Sequence, residues 1–205
     1  MSTLPSSTDP SSPLHYPCSQ TAILLLDYHN LVVELCGDAG ISAVKQAKVV
    51  RDWALANDIL VIHCLLDLNR PPPPTAKGGD RLRGFMQAGQ TKAGEEHAKV
   101  AIVKAEREVT VLRQPGLRSG LNSKDIKELL ARKDIKSLIM CGLSTSGCVL
   151  STAKQATDEG YVVTIVRDGC GDRTAELHEM LLEQVLPSAA YILTGNDLLD
   201  EWGRQ

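Results

Sequence analysis

Short runs of apolar residues alternate along the chain with longer segments in which apolar residues recur at helical spacing. The apolar runs, which predict six strands, are AILLL (22–26), DILVIHCLLD (58–67), EVTVLR (108–113), SLIMCG (137–142), YVVTIVRD (161–168) and AAYIL (189–193). Helices are predicted over 38–57, 123–134, 148–159 and 175–186. Continuous apolar strands separated by helices are typical of a parallel sheet that is covered on both faces. The pattern therefore predicts an α/β fold, a three-layer α/β/α doubly wound sheet of six mainly parallel strands in the order 3-2-1-4-5-6.

One long segment interrupts this regularity. Residues 67–95 include the stretch NRPPPPTAKGGD and show no clear strand or helix pattern. Long irregular segments inside compact domains are often functional, so one interpretation is a lid or an oligomer arm, and the other is a disordered surface insertion. Residues 1–19 are rich in Ser and Pro and are expected to form a flexible tail, with one domain over 20–205.

Composition argues against several classes of partner. The 205 residues carry a formal net charge of -3, which gives no electrostatic reason to expect nucleic acid or an anionic membrane surface. The N-terminus lacks an apolar signal segment, and no run approaches the length of a membrane span. The six cysteines are widely spread: Cys18, Cys36, Cys64, Cys141, Cys148 and Cys170. Without a secretion signal they predict free thiols in a reducing compartment, so we expect a cytoplasmic protein.

The predicted strand order places an acid opposite a thiol. In an open α/β sheet, ligands bind at the carboxyl ends of the strands where the strand order reverses, here between the first and fourth strands. The first strand ends in Asp27, and the fourth ends at Gly142 and leads through LSTSG to Cys148. Asp27 and Cys148 are therefore predicted to face each other across the crevice. A helix N-cap or a solvated loop acid are the alternative roles for Asp27.

Cys148 is predicted to lie in the first turn of a helix that is capped by Ser146. At that place the helix dipole and free backbone N–H groups lower the pKa of a thiol and can bind an oxyanion. The alternative is that Cys148 is a small buried residue, as most free cysteines are. Cys141 lies inside the predicted strand and is assigned to the core, and no further ligands complete a metal site with the two cysteines.

From about residue 20 to 198 the chain resembles the isochorismatase-like cysteine hydrolases. Four stretches carry the resemblance in the family's order: TAILLLDYHN (21–30), CGLSTSGCVLSTAKQATDEGYVV (141–163), VRDGCGDRTAELHEMLLEQVL (166–186) and TGNDLL (194–199). The first resembles the strand with the catalytic acid and the second the nucleophile segment. Within the second, STSGCV is most similar to the N-carbamoylsarcosine amidohydrolase branch.

The resemblance implies a catalytic triad of Asp, Lys and Cys. The thiolate attacks an amide or carbamoyl carbonyl, the Asp carries the thiol proton to the departing amine, and water then hydrolyses the thioester. Asp27 and Cys148 match two of these roles. The resemblance also implies a cis peptide bond between Leu143 and Ser144, and an oxyanion loop that includes Gly147. A small-molecule substrate and a homodimer or homotetramer are expected.

The lysine of the triad is not found. In the family it precedes a stretch that aligns with SGLNSKDI (119–126), and the corresponding position here is Pro115. Arg113, at the end of the third strand, and Arg118 are candidate replacements, with Lys104 further upstream. Arginine stabilises an anion but does not readily give up and retrieve a proton, so the triad is either incomplete or rebuilt.

No cofactor and no catalytic metal are expected. The nicotinamidase branch of the family binds a metal through an Asp and histidines after the second strand, whereas Asp67 is followed here by LNR. His63 and His178 are assigned structural roles. His29, two residues beyond the predicted acid, is either a substrate contact or an exposed loop residue.

The leading hypothesis is a metal-independent hydrolase of a small amide or carbamoyl compound, with Cys148 as nucleophile and Asp27 as acid and base. It predicts that iodoacetamide labels Cys148 at a lower pH than the other cysteines. One alternative is a catalytically impaired, small-molecule binding protein, and another is hydrolysis of a vinyl ether such as isochorismate, which needs no thiol. A guanidinium within hydrogen-bond reach of both Asp27 and the Cys148 sulfur would favour a rebuilt triad.

Overall fold

A six-stranded sheet forms the centre of the structure, a computed structural model that describes residues 4–89, 92–103 and 106–203. The strands are β1 (Thr21–Leu26), β2 (Leu60–Leu66), β3 (Glu108–Arg113), β4 (Ser137–Leu143), β5 (Val162–Gly171) and β6 (Tyr191–Leu193). They pair in parallel in the order β3-β2-β1-β4-β5-β6. The predicted fold class and strand order are confirmed, and the order reverses between β1 and β4.

Helices cover both faces of the sheet. They are α1 (Asn30–Leu35), α2 (Gly37–Ala56), α3 (Gly79–Gly89), α4 (Ile126–Arg132), α5 (Leu150–Asp158), α6 (Ala175–Met180) and α7 (Gly195–Trp202). The side chains of β1 alternate between two buried clusters, because successive residues of a strand point to opposite faces. Ile23 and Leu25 pack with α2 and α7, whereas Leu24 and Leu26 pack with α4 and α5.

The helix after β4 differs from its prediction. A π-helical turn spans Thr145–Val149, and the α-helix begins only at Leu150. Ser144 is the residue before the π-helical turn, and its side chain makes no capping hydrogen bond. The expected cap, Ser146, therefore lies inside the turn and not at its start. The segment predicted as one helix over 175–186 is also divided, by a second π-helical turn and a 3-10 turn.

Residues 67–95 are not irregular throughout, so that expectation is wrong. They include helix α3 and a 3-10 turn at Lys92–Gly94. Glycines stand near both ends of α3, which explains why the sequence shows no extended helical pattern there. Within the described ranges, no helix has both the length and the apolar character that crossing a bilayer requires.

The 67–95 segment packs on the loop that follows β3. The amide of Gln114 donates to the carbonyl oxygen of Pro71 over 2.6 Å. Gly116 has a φ of +100°, and a Cβ there would lie 3.2 Å from Pro73 and 3.3 Å from Ala76. This close approach needs glycine, because a side chain would press against the proline-rich stretch. The segment therefore covers the loop beyond the carboxyl end of β3.

The residues expected to form a flexible tail are folded into turns from residue 4 onwards. Two 3-10 helices, Pro13–His15 and Cys18–Gln20, lead directly into β1. The Ser12 side chain is fully buried, donates to the carbonyl oxygen of Pro5 over 2.9 Å and caps the first 3-10 helix. Local side chain to backbone bonds of this kind order short Ser-rich stretches that have no strand or helix pattern.

Candidate active site

Asp27 marks the point where the chain leaves the sheet at the switch between β1 and β4. It follows β1 directly and has a left-handed backbone with a φ of +56°, which Asp tolerates better than most residues. Its N–H donates to the carbonyl oxygen of Cys64 over 3.0 Å, so the backbone at Asp27 is fixed by β2. Asp27 as a whole residue is 7% exposed.

The side chain of Arg113, the last residue of β3, forms a two-bond ion pair with Asp27. Nη1 lies 2.9 Å from Oδ1, and Nη2 donates to Oδ2. Nε donates to the carbonyl oxygen of Leu117 over 3.0 Å, which holds the guanidinium in place. Burial alone lowers the pKa of Arg113, but the charge and hydrogen bonds of Asp27 outweigh it and leave the pKa above its ordinary value. Arg113 is therefore a fixed cation of the site.

The other basic candidates are not brought to this pair. Arg118 lies exposed on the loop after β3, whereas Arg113 is 3% exposed. Pro115, which aligns with the family's lysine, is a buried residue of the same loop. Lys104 lies outside the described residues. Of the candidates described, the structure places Arg113 in contact with the acid and leaves Arg118 at the surface.

The Cys148 thiol is buried in the π-helical turn. Sγ donates to the carbonyl oxygen of Leu143 over 3.2 Å, and the charge of Asp27 acts on the thiol. Burial raises the pKa of Cys148 well above its ordinary value, the charge of Asp27 raises it further, and Arg113 lowers it. The prediction of a lowered thiol pKa is therefore wrong, because burial and the facing carboxylate outweigh the helix dipole.

The loop before Cys148 has the expected cis peptide bond, between Leu143 and Ser144. The N–H of Gly147, expected to serve the oxyanion loop, donates instead to the Ser144 carbonyl oxygen over 3.0 Å. The N–H of Ser146 donates to a carboxylate oxygen of Asp172 over 2.7 Å. Two N–H groups of the loop are thus already engaged within the protein.

Asp172 and His178, which follow β5 in the chain, hold the loop that leads to Cys148. The sequence alone predicted this role for neither residue. Asp172 is 2% exposed and holds the Ser146 N–H. His178 lies 2.8 Å from the Thr145 hydroxyl through Nδ1, and burial lowers the pKa of His178. The apolar pattern did not indicate Asp172, because it predicted a strand that ends at residue 168, whereas β5 continues to Gly171.

His29 is neither an exposed loop residue nor free to contact a substrate. It is 2% exposed, and both ring nitrogens bind the backbone. Nδ1 lies 2.6 Å from the carbonyl oxygen of Gly94, and Nε2 accepts the N–H of Leu66 over 3.1 Å. His29 therefore connects the chain after Asp27 to the end of β2 and to the 67–95 segment.

A second buried arginine–carboxylate pair lies at the other end of β3. Arg51 donates to both oxygens of Glu108, over 2.5 and 2.9 Å. His63 bridges Glu108 and Glu96 through its two ring nitrogens, at 3.1 and 2.7 Å, which agrees with the structural role expected of His63. In the described part of the chain, no group of three or more His, Cys, Asp or Glu side chains is arranged to hold a metal ion.

Several curated proteins are similar in sequence to this chain, over part or most of its length. Maleamate amidohydrolase from Pseudomonas putida is 26% identical over 186 residues, which are 88% of this chain and 85% of that protein. Isochorismatase domain-containing protein 2 from Xenopus laevis is 33% identical over 73 residues, which are 36% of each chain. The chain therefore matches about a third of the length of the Xenopus protein and most of the length of the Pseudomonas protein.

A solved structure shares this fold, and a family model covers most of the chain. N-carbamoylsarcosine amidase from Thermoplasma acidophilum superimposes with a TM-score of 0.70, covering 86% of this chain and 97% of that one. At 15% identity this likeness shows a shared fold only. The Isochorismatase domain family matches residues 21–197, a range that includes Asp27, Arg113 and Cys148. The chain belongs to the isochorismatase-like cysteine hydrolase family.

Proposed function

We propose that this protein hydrolyses a small amide or carbamoyl compound through a thioester on Cys148, without a metal ion. The observation that carries the proposal is the presence of a buried carboxylate and a buried thiol at the switch point between β1 and β4, where the charge of Asp27 acts on the Cys148 thiol. A thiol and a positioned base are the two groups that acyl transfer to sulfur needs. The name of the Pseudomonas relative, an amidohydrolase, agrees with this chemistry.

Acylation starts from a neutral thiol. The thiol turns from the Leu143 carbonyl oxygen to Asp27, which takes its proton as sulfur bonds to the substrate carbonyl carbon. The carbonyl electron pair moves to oxygen, and we assign the N–H of Cys148 as a donor to this oxyanion, since the N–H groups of Ser146 and Gly147 are engaged. The carbon–nitrogen bond then breaks, Asp27 returns the proton to the nitrogen, and ammonia or an amine leaves.

Deacylation reverses these roles with water. Asp27 takes a proton from a water molecule as its oxygen attacks the thioester carbonyl carbon, and the carbon–sulfur bond breaks. The carboxylic product leaves and the Cys148 thiolate regains a proton from Asp27. In both halves Asp27 is the proton carrier, and Arg113 keeps its charge throughout. A rebuilt triad with arginine therefore works here by electrostatic stabilisation and not by proton transfer.

Arg113 meets one half of the criterion for a rebuilt triad. It binds both oxygens of Asp27, whereas its effect on Cys148 is electrostatic and lowers the pKa of that thiol. The cation therefore attracts the developing thiolate at a distance, without a hydrogen bond to sulfur. This supports the hydrolase over a binding protein, because a buried positive charge stabilises the negative charge that forms during attack.

Local charge favours an anionic amide as substrate. The 67–95 segment carries five basic residues and three acidic residues, Asp67, Asp80 and Glu95, although the whole chain has a net charge of -3. The basic residues are Arg70, Lys77, Arg81, Arg83 and Lys92. This segment covers the loop that holds Arg113. An excess of positive charge close to Arg113 raises the local concentration of anions and speeds their association.

The direct test is release of ammonia or amine from a panel of small amides. The panel pairs maleamate, the compound in the name of the Pseudomonas relative, with its neutral methyl ester, and includes N-carbamoyl amino acids and isochorismate. We expect hydrolysis of an anionic amide, trapping of the acyl group by hydroxylamine, and loss of both in Cys148→Ala. Hydrolysis that persists in Cys148→Ala would exclude the thioester route.

The same protein is expected to act on its small-molecule substrate without a nucleic acid or membrane partner. A cytosolic, reducing location suits its six free cysteines, and assembly as a homodimer or homotetramer is part of the proposal. Sedimentation equilibrium of the full chain would measure the assembly, and a purely monomeric protein would contradict that part.

A further inference from the structure

The chain after the catalytic acid is tied to the end of the 67–95 segment. Asn30 donates through its backbone N–H to the carbonyl oxygen of Glu95 and through its side chain to that of Lys92, each over 2.9 Å. His29 forms an isolated antiparallel bridge with Glu96. Residues 92–97 are therefore held against the chain two and three positions beyond Asp27.

The bonds of His29 define its protonation state. The N–H of Leu66 can only donate, so Nε2 of His29 must accept and carries no proton. The carbonyl oxygen of Gly94 can only accept, so Nδ1 must donate. The two bonds thus fix the orientation of the ring, with Nε2 accepting from β2 and Nδ1 donating to the 92–97 segment.

Leu66 connects His29 to the catalytic cation. Leu66 is the last residue of β2, and its partner in the parallel pairing is Arg113 at the end of β3. Arg113 in turn binds both oxygens of Asp27. The His29 side chain therefore completes a closed series of contacts, which runs from the loop of Asp27 to Leu66 in β2, on to Arg113 in β3 and back to Asp27.

We propose that His29 is a positioning residue for Asp27, holding the carboxylate against Arg113 and Cys148 by tying its loop to Leu66. The inference rests on the proposed function in one respect: it takes Asp27 as the proton carrier. It goes further in assigning a residue with no substrate contact to the alignment of that acid. The bond to Gly94 serves a second role, which is to hold the 92–97 segment.

Two substitutions separate these roles. His29→Gln keeps an acceptor at the distance of Nε2 for the Leu66 N–H, and His29→Asn keeps a donor near Nδ1 for the Gly94 carbonyl oxygen. His29→Leu removes both bonds. Asn30→Ala is the matched control, because it loses the side-chain bond to Lys92 and loosens the 92–97 segment without touching Leu66. Urea unfolding of each variant provides the folded fraction.

With the best amide, we expect His29→Leu to lower kcat by roughly tenfold to a hundredfold with a smaller change in KM, as misplacement of a catalytic group does. His29→Gln should recover more of kcat than His29→Asn. Asn30→Ala should keep kcat within about threefold. An unchanged kcat in folded His29→Leu, or an equal loss in Asn30→Ala, would overturn the proposal.

A substrate-free measurement separates this proposal from the proposed function. Asp27 raises the pKa of Cys148 by its charge, so a displaced Asp27 lets that pKa fall. Iodoacetamide should then label Cys148 of His29→Leu faster than wild type at neutral pH, by about tenfold for each unit by which the pKa falls. Equal labelling rates would overturn the positioning role even if no amide is hydrolysed by any variant.

Discussion

Strand β3 carries a buried arginine–carboxylate pair at each of its ends. At the amino end Glu108 binds Arg51, and at the carboxyl end Arg113 binds Asp27. In both pairs the arginine contacts both oxygens, and all four residues are 7% exposed or less. Glu108 and Arg113 are an odd number of positions apart, so they point to opposite faces of the sheet. One pair therefore faces α2 and the other the switch point.

The two carboxylates differ in what else they contact. Glu108 also accepts from the backbone N–H of Val103 over 2.8 Å and contacts Nε2 of His63 at 3.1 Å. Its oxygens are committed to donors that stay in place. Asp27 instead faces the Cys148 thiol, a group that can transfer its proton. Burial and an arginine partner are common to both, so under the proposed mechanism the mobile proton is what distinguishes the Asp27 pair from the Glu108 pair.

The largest expected effect comes from removing the charge of each carboxylate in turn. Asp27→Asn should lower kcat/KM on the best amide by roughly a thousandfold, because the proton carrier is lost. The matched change Glu108→Gln should leave kcat/KM of the folded protein within about threefold. Initial rates at equal folded fraction measure both. Equal losses would show that the two pairs act alike and would end the comparison.

The structural pair should dominate in stability. Arg51→Met leaves Glu108 buried without its main partner and should lower the free energy of unfolding by about 3–5 kcal/mol. Lys48→Ala is the control on the same helix, since the Lys48–Asp52 pair is about half exposed and should contribute less than about 1 kcal/mol. Urea unfolding measures both. A cost of Arg51→Met no larger than that of Lys48→Ala would contradict the structural assignment.

The smallest expected effect is a loss of folding stability at alkaline pH, which arises from Cys64 close to Arg113 and Asp27. Burial raises the pKa of Cys64 to about 12 from an ordinary value of 9.0, with Arg113 lowering it and Asp27 raising it. The folded state thus keeps this proton longer than the unfolded state. Its contribution is complete below pH 9.0 and is lost as the pH rises toward 12.

The free energy of unfolding should therefore fall above about pH 9, by about 1.4 kcal/mol per pH unit for each such thiol. Cys64→Ala should make the slope shallower, whereas Lys48→Ala should leave it unchanged. Urea midpoints between about pH 8 and 10 test this. If the free energy of unfolding falls with pH equally steeply in Cys64→Ala and wild type, Cys64 does not cause the loss of stability.

The framework of the site could be predicted from sequence because it depends on strand order. Continuous apolar strands and their helical connections were enough to place Asp27 opposite Cys148. The end of β3 indicated Arg113 as one of two basic candidates. The choice between Arg113 and Arg118 could not be made, because it depends on the turn at Gly116 and on its contacts with residues 73 and 76.

The electrostatics of the site could not be predicted in the same way. The direction of the Cys148 pKa shift depends on how completely segments that are distant in sequence bury the thiol. The position of Cys148 in the sequence indicated only the effect of the helix dipole. The bonds of His29 require Leu66 and Gly94, which are far apart along the chain. The role of Asp172 depends on the π-helical turn, because Asp172 accepts from the N–H of Ser146 within that turn. A π-helical turn has no characteristic spacing of apolar residues that would predict it from sequence.

The raised pKa of Cys148 also affects how readily its thiol is oxidised. Peroxides oxidise thiolates and react poorly with neutral thiols, and the first product, a sulfenic acid, is inactive as a nucleophile. Because Cys148 is buried and protonated at rest, it is a poor target for such oxidants. In the proposed mechanism its negative charge forms only while Asp27 takes the proton during attack on a substrate. We therefore expect the burial that delays ionisation of Cys148 also to slow its oxidative inactivation.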